Sequence, residues 1–335
     1  MELLTRLELG YTIGKSAFLG SRPFLLYFKP TARCDLRCEI CNRWKDHSSS
    51  EEELSLEQIR QMLAKFRRAG AVVLTLWGGE PTLRKDLPEI LGAAKDLGFR
   101  TSMCTNSNAL AKTGHRYLPL LDVLLCSLDG YGATHDRMRG VDGLFDRVVS
   151  GIGTATHYNH LDVKIWATVH RENLRQIEQL AGLARDLGTG IEFFPVSPIV
   201  GYNNDTVPSP AELRDAFTLI KRLKAEGLPI RNPDRVLDIM LNSAPFKCNF
   251  GRIAIHLDHR GHVYSCEDPA GTPLHMWGDV TGFEPLERYR SREFQEVVTR
   301  LESCDRCRLP CVVELADSLP ASLANMFIKP WESRR

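Results

Sequence analysis

The chain has 335 residues, of which 43% are hydrophobic and 25% charged, ordinary globular values that exclude disordered and fibrous classes and suit one large domain or two ordinary ones. Lys+Arg (43) nearly balance Asp+Glu (42), for a formal charge of +1, which argues against a basic nucleic-acid footprint. No apolar run approaches the ~20 residues that span a bilayer, and the opening MELLTRLEL carries acids inside its apolar stretch, unlike a signal peptide. A cytoplasmic protein is expected.

From residue 23 to about 195, short apolar runs alternate with helical patterns. Residues 24–29 read as a first strand. Ser55 and Gln58 form a capping box opening a helix with apolar Leu56, Ile59, Met62, Leu63 and Phe66, stopped at Gly70. Further strands are expected at 72–77, 99–104, 123–128, 163–169 and 191–194, with helices at 87–97, 143–157 and 173–187 between them. Near-continuous apolar strands separated by helices indicate a parallel sheet covered on both faces. About six β/α units fall short of a closed eight-fold barrel, so a partial (β/α)6 TIM-like barrel is expected. After residue 200 the pattern changes. Ser209 and Glu212 cap a helix running to about Gly227, Asn232-Pro233 opens a shorter one, and residues 253–257 and 262–266 flank Asp258-His-Arg-Gly261 as a β-hairpin. A helix at 291–303 follows.

Cysteine usage is the informative count. Eight of the ten cysteines fall in two clumps, Cys34, Cys38, Cys41 and Cys248, Cys266, Cys304, Cys307, Cys311. Clumped thiols in a reducing compartment indicate metal or redox chemistry. Cys34-x3-Cys38-x2-Cys41 follows the first strand directly, and three thiolates on one loop can hold three corners of a cubane iron–sulfur cluster, leaving one iron open. Zinc would want a fourth ligand, for which His47 is the nearby candidate. Cys104 and Cys126 lie in apolar strands and are expected to be core. His170 and Glu192, at the ends of expected strands, are candidate substrate contacts, whereas His256, His259 and His262 lack ligand-like spacing and are expected to be surface or hairpin residues.

The CxxxCxxC spacing resembles the signature of the radical S-adenosylmethionine (SAM) superfamily. Gly78-Gly79-Glu80-Pro81 after the second strand resembles the loop that lines the methionine moiety of SAM in that family, and Thr105-Asn106, Ser127-Leu-Asp-Gly130 and His135-Asp-Arg-Met-Arg139-Gly140 resemble its later loop motifs. The residue before the third cysteine is commonly aromatic in that family and is Ile40 here. The resemblance implies a [4Fe–4S] cluster on Cys34, Cys38 and Cys41, SAM chelated at its open iron, and a 5′-deoxyadenosyl radical that abstracts hydrogen from a substrate C–H bond. It further implies SAM contacts from Gly78, Gly79, Glu80, Pro81, Asn106, Ser127 and Arg139, Ser127 and Arg139 being candidates for the ribose and carboxylate, and a reductant protein of flavodoxin or ferredoxin type. A surface salt bridge is the alternative role of Arg139.

Two cysteines around a hairpin followed by Cys304-x2-Cys307 fit a four-thiolate zinc ribbon. They equally resemble the C-terminal domains of SPASM and twitch radical SAM enzymes. That resemblance implies one auxiliary [4Fe–4S] cluster on Cys248, Cys266, Cys304 and Cys307, with Cys311 left over. The implied division is an N-terminal segment (1–22), a core partial barrel (23–200), a helical connection (201–247) and a twitch-like domain with tail (248–335). Apolar residues at helical spacing before residue 20, interspersed with Arg6, Lys15 and Arg22, together with the stretch 323–331, suggest peripheral membrane contact and an apolar or lipid substrate. Alternatives are a peptide- or sugar-modifying radical SAM enzyme and a non-catalytic zinc-stabilised scaffold.

Overall fold

The computed structural model describes residues 23–242, 246–304 and 307. The N-terminal segment, the stretch 323–331 and Cys311, on which the membrane expectation and the spare thiol rest, lie outside the described residues.

Among the described residues nine strands form one open sheet: β1 (Leu25–Phe28), β2 (Val73–Leu76), β3 (Arg100–Thr105), β4 (Val123–Ser127), β5 (Asp162–Val169), β6 (Gly190–Pro195), β7 (Ala254–Leu257), β8 (His262–Glu267) and β9 (Pro273–Asp279), in the order β6-β5-β4-β3-β2-β1-β7-β8-β9. The first six run parallel, joined by helices including Leu56–Arg68, Leu87–Asp96, Leu144–Ala155 and Ile177–Asp186. Each begins close to where apolar periodicity and capping residues place it; Ser55 accepts from the Gln58 amide as the capping box requires.

The C-terminal hairpin forms where it is expected, β7 pairing antiparallel with β8, but it does not stand apart from the barrel. Its first strand, β7, pairs parallel to β1 and so is a seventh strand of the barrel, while β8 runs antiparallel to β7 and β9 antiparallel to β8. Strand β9 was not expected. It starts with a proline, contains Gly278, and pairs across a register shift at Val263/Tyr264, an irregular edge strand without clean alternation.

Side-chain alternation divides the barrel strands. Leu74, Met103, Leu124, Cys126, Ile165, Phe193 and Ile255 point to the helices and form the buried core. The opposite parity, from Tyr27 through Thr75, Cys104, Leu125, Trp166 and Phe194 to His256, lines a cavity inside the curve of the sheet.

Candidate functional site

Cys34, Cys38 and Cys41 occupy the loop after β1, and all three line this cavity of about 330 Å3. Gly78, Gly79, Glu80, Asn106, Ser127 and Arg139 line it too. Pro81 does not; it is buried at the start of the turn Pro81–Leu83. Segments after β1, β2, β3, β4 and β6, at one end of a parallel sheet, thus converge, as the fold directs.

The two glycines have a role that the sequence does not reveal. The Gly79 amide donates to Thr31 O at 3.1 Å and the Glu80 amide to Arg33 O at 2.8 Å. A Cβ on Gly79 would sit 2.1 Å from the Arg33 carbonyl oxygen and 2.5 Å from that of Ala32. Gly78 has φ +120° and packs on Lys29, a conformation and a closeness only glycine accepts. The glycines therefore seat the base of the cysteine loop as well as facing the cavity.

Glu80 is 1% exposed. One carboxylate oxygen accepts from Thr82 Oγ1 (2.7 Å), Thr82 N (3.1 Å) and Thr105 Oγ1 (2.8 Å), and the other from the Asn106 amide (2.7 Å). Burial pushes its carboxyl above the ordinary range despite these four donors. Only Oε2 retains ready acceptor capacity for an ammonium group. Asn106 in turn donates to Asp35 Oδ1 at 2.7 Å, and Asn108 to Asp35 Oδ2 at 2.8 Å. Asp35, inside the cysteine loop, thereby ties it to the β3 loop.

Arg139 is neither a surface residue nor free. It donates to Asp129 Oδ2 at 2.8 Å and reaches Cys38 Sγ at 3.7 Å. Asp129 is fully buried and also accepts from the Thr168 amide at 2.9 Å. Burial alone would raise its pKa, but Arg139 and the nearby histidines hold it below the ordinary value. Ser127, at the end of β4, is half-buried and lines the cavity. Burial pushes the Cys34 thiol up to about 12 and the Cys38 thiol up to about 11, the latter partly offset by Arg139.

The second set also assembles. Cys248, Cys266, Cys304 and Cys307 line one small cavity with Phe250, Leu274 and Leu301. Cys266 and Cys307 face the large cavity as well. Burial pushes Cys248 up to about 12, and Cys266 well above its ordinary value. Four soft thiols around one small cavity are a donor set for iron–sulfur or zinc.

Several expectations need correction. His170 is fully buried, its Nε2 3.0 Å from the Asp129 carbonyl, and it is not among the cavity-lining residues. Glu192 faces inward but two positions below Phe194, where it accepts from Lys164 (3.1 Å) and Trp166 Nε1 (2.8 Å) and plugs the barrel floor. Cys126 is core, but Cys104 is half-buried and faces the cavity. His256 and His259 lie on the hairpin as expected, in β7 and in the turn after it, but each is 3% exposed, so neither is a surface residue. Sequence reasoning missed Asp35 and also Tyr202, whose hydroxyl donates to the carbonyls of Cys38 (2.9 Å) and Cys41 (3.1 Å) and accepts from Trp44 Nε1 at 3.2 Å. No local motif marks Tyr202; only its neighbour on a distant loop does.

Residues 28–184 match the family model of the Radical SAM superfamily. The chain carries a radical SAM domain. Domains of this family use a [4Fe–4S] cluster and SAM. The chain is 31% identical over 158 residues to Fe-coproporphyrin III synthase of Methanosarcina barkeri, covering 47% of this chain and 39% of that protein. It is 27% identical over 289 residues to PqqA peptide cyclase of Bradyrhizobium diazoefficiens, covering 80% of this chain and 70% of that protein. It thus spans less than half the length of the first of these relatives. The fold is shared with Streptococcus suis SuiB bound to S-adenosylmethionine, at TM-score 0.69 and 17% identity, covering 83% of this chain and 68% of that one. No described helix is long and apolar enough to cross a membrane.

Proposed function

We propose that Cys34, Cys38 and Cys41 bind a [4Fe–4S] cluster whose open iron takes SAM, and that the protein starts radical chemistry on an organic substrate with an apolar body. The observation that carries this reading is the gathering of three thiols from one loop, Gly78–Glu80, Asn106, Ser127 and Arg139 around a single cavity. When bound and reduced, such a cluster supplies the electron that splits SAM to a 5′-deoxyadenosyl radical, and a flavodoxin or ferredoxin is the class of donor expected to reduce it. The chain's own residues orient and enclose. Oε2 of Glu80 and the rim of the β2 loop receive the amino end of SAM, and Ser127 its ribose. Arg139, held by Asp129, places positive charge beside Cys38 and favours its thiolate. The walls formed by Tyr27, Trp77, Trp166, Phe194 and Ile199 exclude water from the reacting atoms.

Cys248, Cys266, Cys304 and Cys307 are proposed to hold an auxiliary [4Fe–4S] cluster with no open iron. A single zinc would draw its thiolates to about 2.3 Å from one point. Among the described residues no three His, Cys, Asp or Glu side chains converge in that way, and the four thiols surround a space instead. For the substrate, the longer of the two sequence matches, to a peptide cyclase over 80% of this chain, favours a peptide over a lipid.

Anaerobic incubation of the reconstituted protein with SAM and reductant, across pools of peptides, sugars and apolar small molecules, tests the reading. One pool should raise 5′-deoxyadenosine above the uncoupled background. A cluster-loaded protein that makes none under any condition contradicts it.

A further inference from the structure

Two polar groups in the cavity wall are unused in the account above. His256 of β7 is 3% exposed and lines the cavity, yet neither ring nitrogen has a hydrogen-bond partner among the described residues. Trp77, just past the end of β2, also lines the cavity and has a buried Nε1–H without a partner among the described residues. The two rings meet edge to face with centroids 5.7 Å apart. Tyr27, the register partner of His256 on β1, stacks on its imidazole at 5.1 Å and 13°, and Phe250 packs against it at 5.4 Å. Buried donors and acceptors in folded proteins are almost always paired. Adjacent orphans on the wall of a cavity therefore mark a place where a ligand completes the bonding.

Their chemistry says which ligand. An indole only donates, whereas a neutral imidazole has one donor and one acceptor. Burial, together with Lys29 and Arg43, lowers the His256 pKa to about 3 against the opposing pull of Glu267, so the ring is neutral. The pair thus offers a donor for a carbonyl oxygen and an acceptor for an N–H. The charged groups at this end are already matched. Lys29 and Arg43 share the Glu267 carboxylate, and Asp268 on the cavity wall adds a second negative charge. Two cations against two anions leave nothing for a substrate carboxylate to neutralise.

We infer that His256 and Trp77 form a subsite for an uncharged amide group of the substrate, held against the Tyr27 and Phe250 rings. This rests on the reading that the cavity admits the substrate.

Equilibrium dialysis of the full-length reconstituted protein with three probes tests it. The probes are 2-naphthamide, 2-acetonaphthone and 2-naphthoate, which share one fused-ring body and present a donor with an acceptor, an acceptor alone, and an anion. The amide should bind about tenfold more tightly than the ketone or the carboxylate, the scale of one net hydrogen bond. His256→Phe keeps a ring in the aromatic cluster and removes both nitrogens, so the gap between amide and ketone should close. Trp77→Phe should weaken amide and ketone alike. SAM binding, measured in the same samples, reports separately on the cluster site: its loss in the wild-type protein would count against the proposed function without touching the probe ratios. Equal affinities in the wild type (failure of all three probes to bind included), a preference for the carboxylate, or a preference for the amide that survives in His256→Phe would each overturn the inference.

Discussion

The two thiol sets are built in opposite ways. Cys34, Cys38 and Cys41 lie within eight residues of one loop, which is held by bonds independent of any bound group: the Gly79 and Glu80 amides at its base, the Asn106–Asp35 link, the Tyr202 hydroxyl over Cys38 and Cys41, and the Glu39 amide on Met138 O at 2.9 Å. Cys248, Cys266, Cys304 and Cys307 come from three separate places: ahead of the short helix Phe250–Ile253, from β8, and beyond the helix Arg292–Leu301. Their surroundings are chiefly apolar, with Glu302, its carboxylate paired to Lys247 and Arg252 and its backbone carbonyl accepting from the Cys248 amide at 3.0 Å, as the main polar tie between the two ends. A preorganised loop leaves its open side for a ligand, whereas a set assembled from distant segments depends on what it binds to hold those segments together. The first arrangement suits chemistry and the second suits a closed cluster.

The largest effect is expected where the first loop is seated. Gly79→Ala places a methyl against two backbone carbonyls that cannot both move without displacing Cys34. The variant should fold, as judged by circular dichroism, yet lose most of the iron assigned to the first set while keeping that of the second. Iron retention equal to wild type would show that the seat is not needed.

Next in size is the Arg139–Asp129 pair. Arg139→Gln leaves a buried carboxylate without its cation and should cost about 3 kcal/mol in chemical denaturation. The sign with pH follows from Asp129, whose folded pKa lies below its ordinary value near 4. The wild-type pair contributes stability above that ordinary value and loses it as pH falls through the folded pKa. In the variant, the unpaired carboxyl is best tolerated protonated. The difference between the two proteins should therefore be widest at pH 7 and narrow toward acid. A constant difference would mean that Arg139 acts through packing alone.

These contrasts also mark what is legible in the sequence. The cysteine spacing and the apolar strand runs carry their meaning locally, so β1 to β6 and both thiol sets were legible. Depth and facing are not local. Glu192 and Phe194 sit at one strand end and differ by two positions, yet one plugs the floor and the other meets the cavity. Residues 253–257 read as a uniformly apolar hairpin arm around a stray histidine. Only pairing with β1 sets the parity that turns His256 inward beside Tyr27. The glycine pair likewise cannot say from sequence whether the space beside it belongs to a ligand or to neighbouring backbone.

The smallest expected effect is at Tyr202. Tyr202→Phe keeps the ring and removes the bifurcated bond to the two carbonyls together with the acceptor of Trp44 Nε1, in all worth about 2 kcal/mol. Iron content should stay near wild type, with a shifted electron paramagnetic resonance signal and midpoint potential for the first cluster and none for the second. An unchanged signal would confine Tyr202 to packing.

The central claim is that both thiol sets carry iron and that only the first performs chemistry on SAM. Replacing Cys34, Cys38 and Cys41 together by alanine, and then measuring iron, sulfide and 5′-deoxyadenosine after anaerobic reconstitution, tests it most directly. The variant should fall from about eight irons per chain to about four, keep a cluster absorption spectrum, and form no 5′-deoxyadenosine. Continued cleavage of SAM, or zinc in place of the remaining iron, would contradict the account.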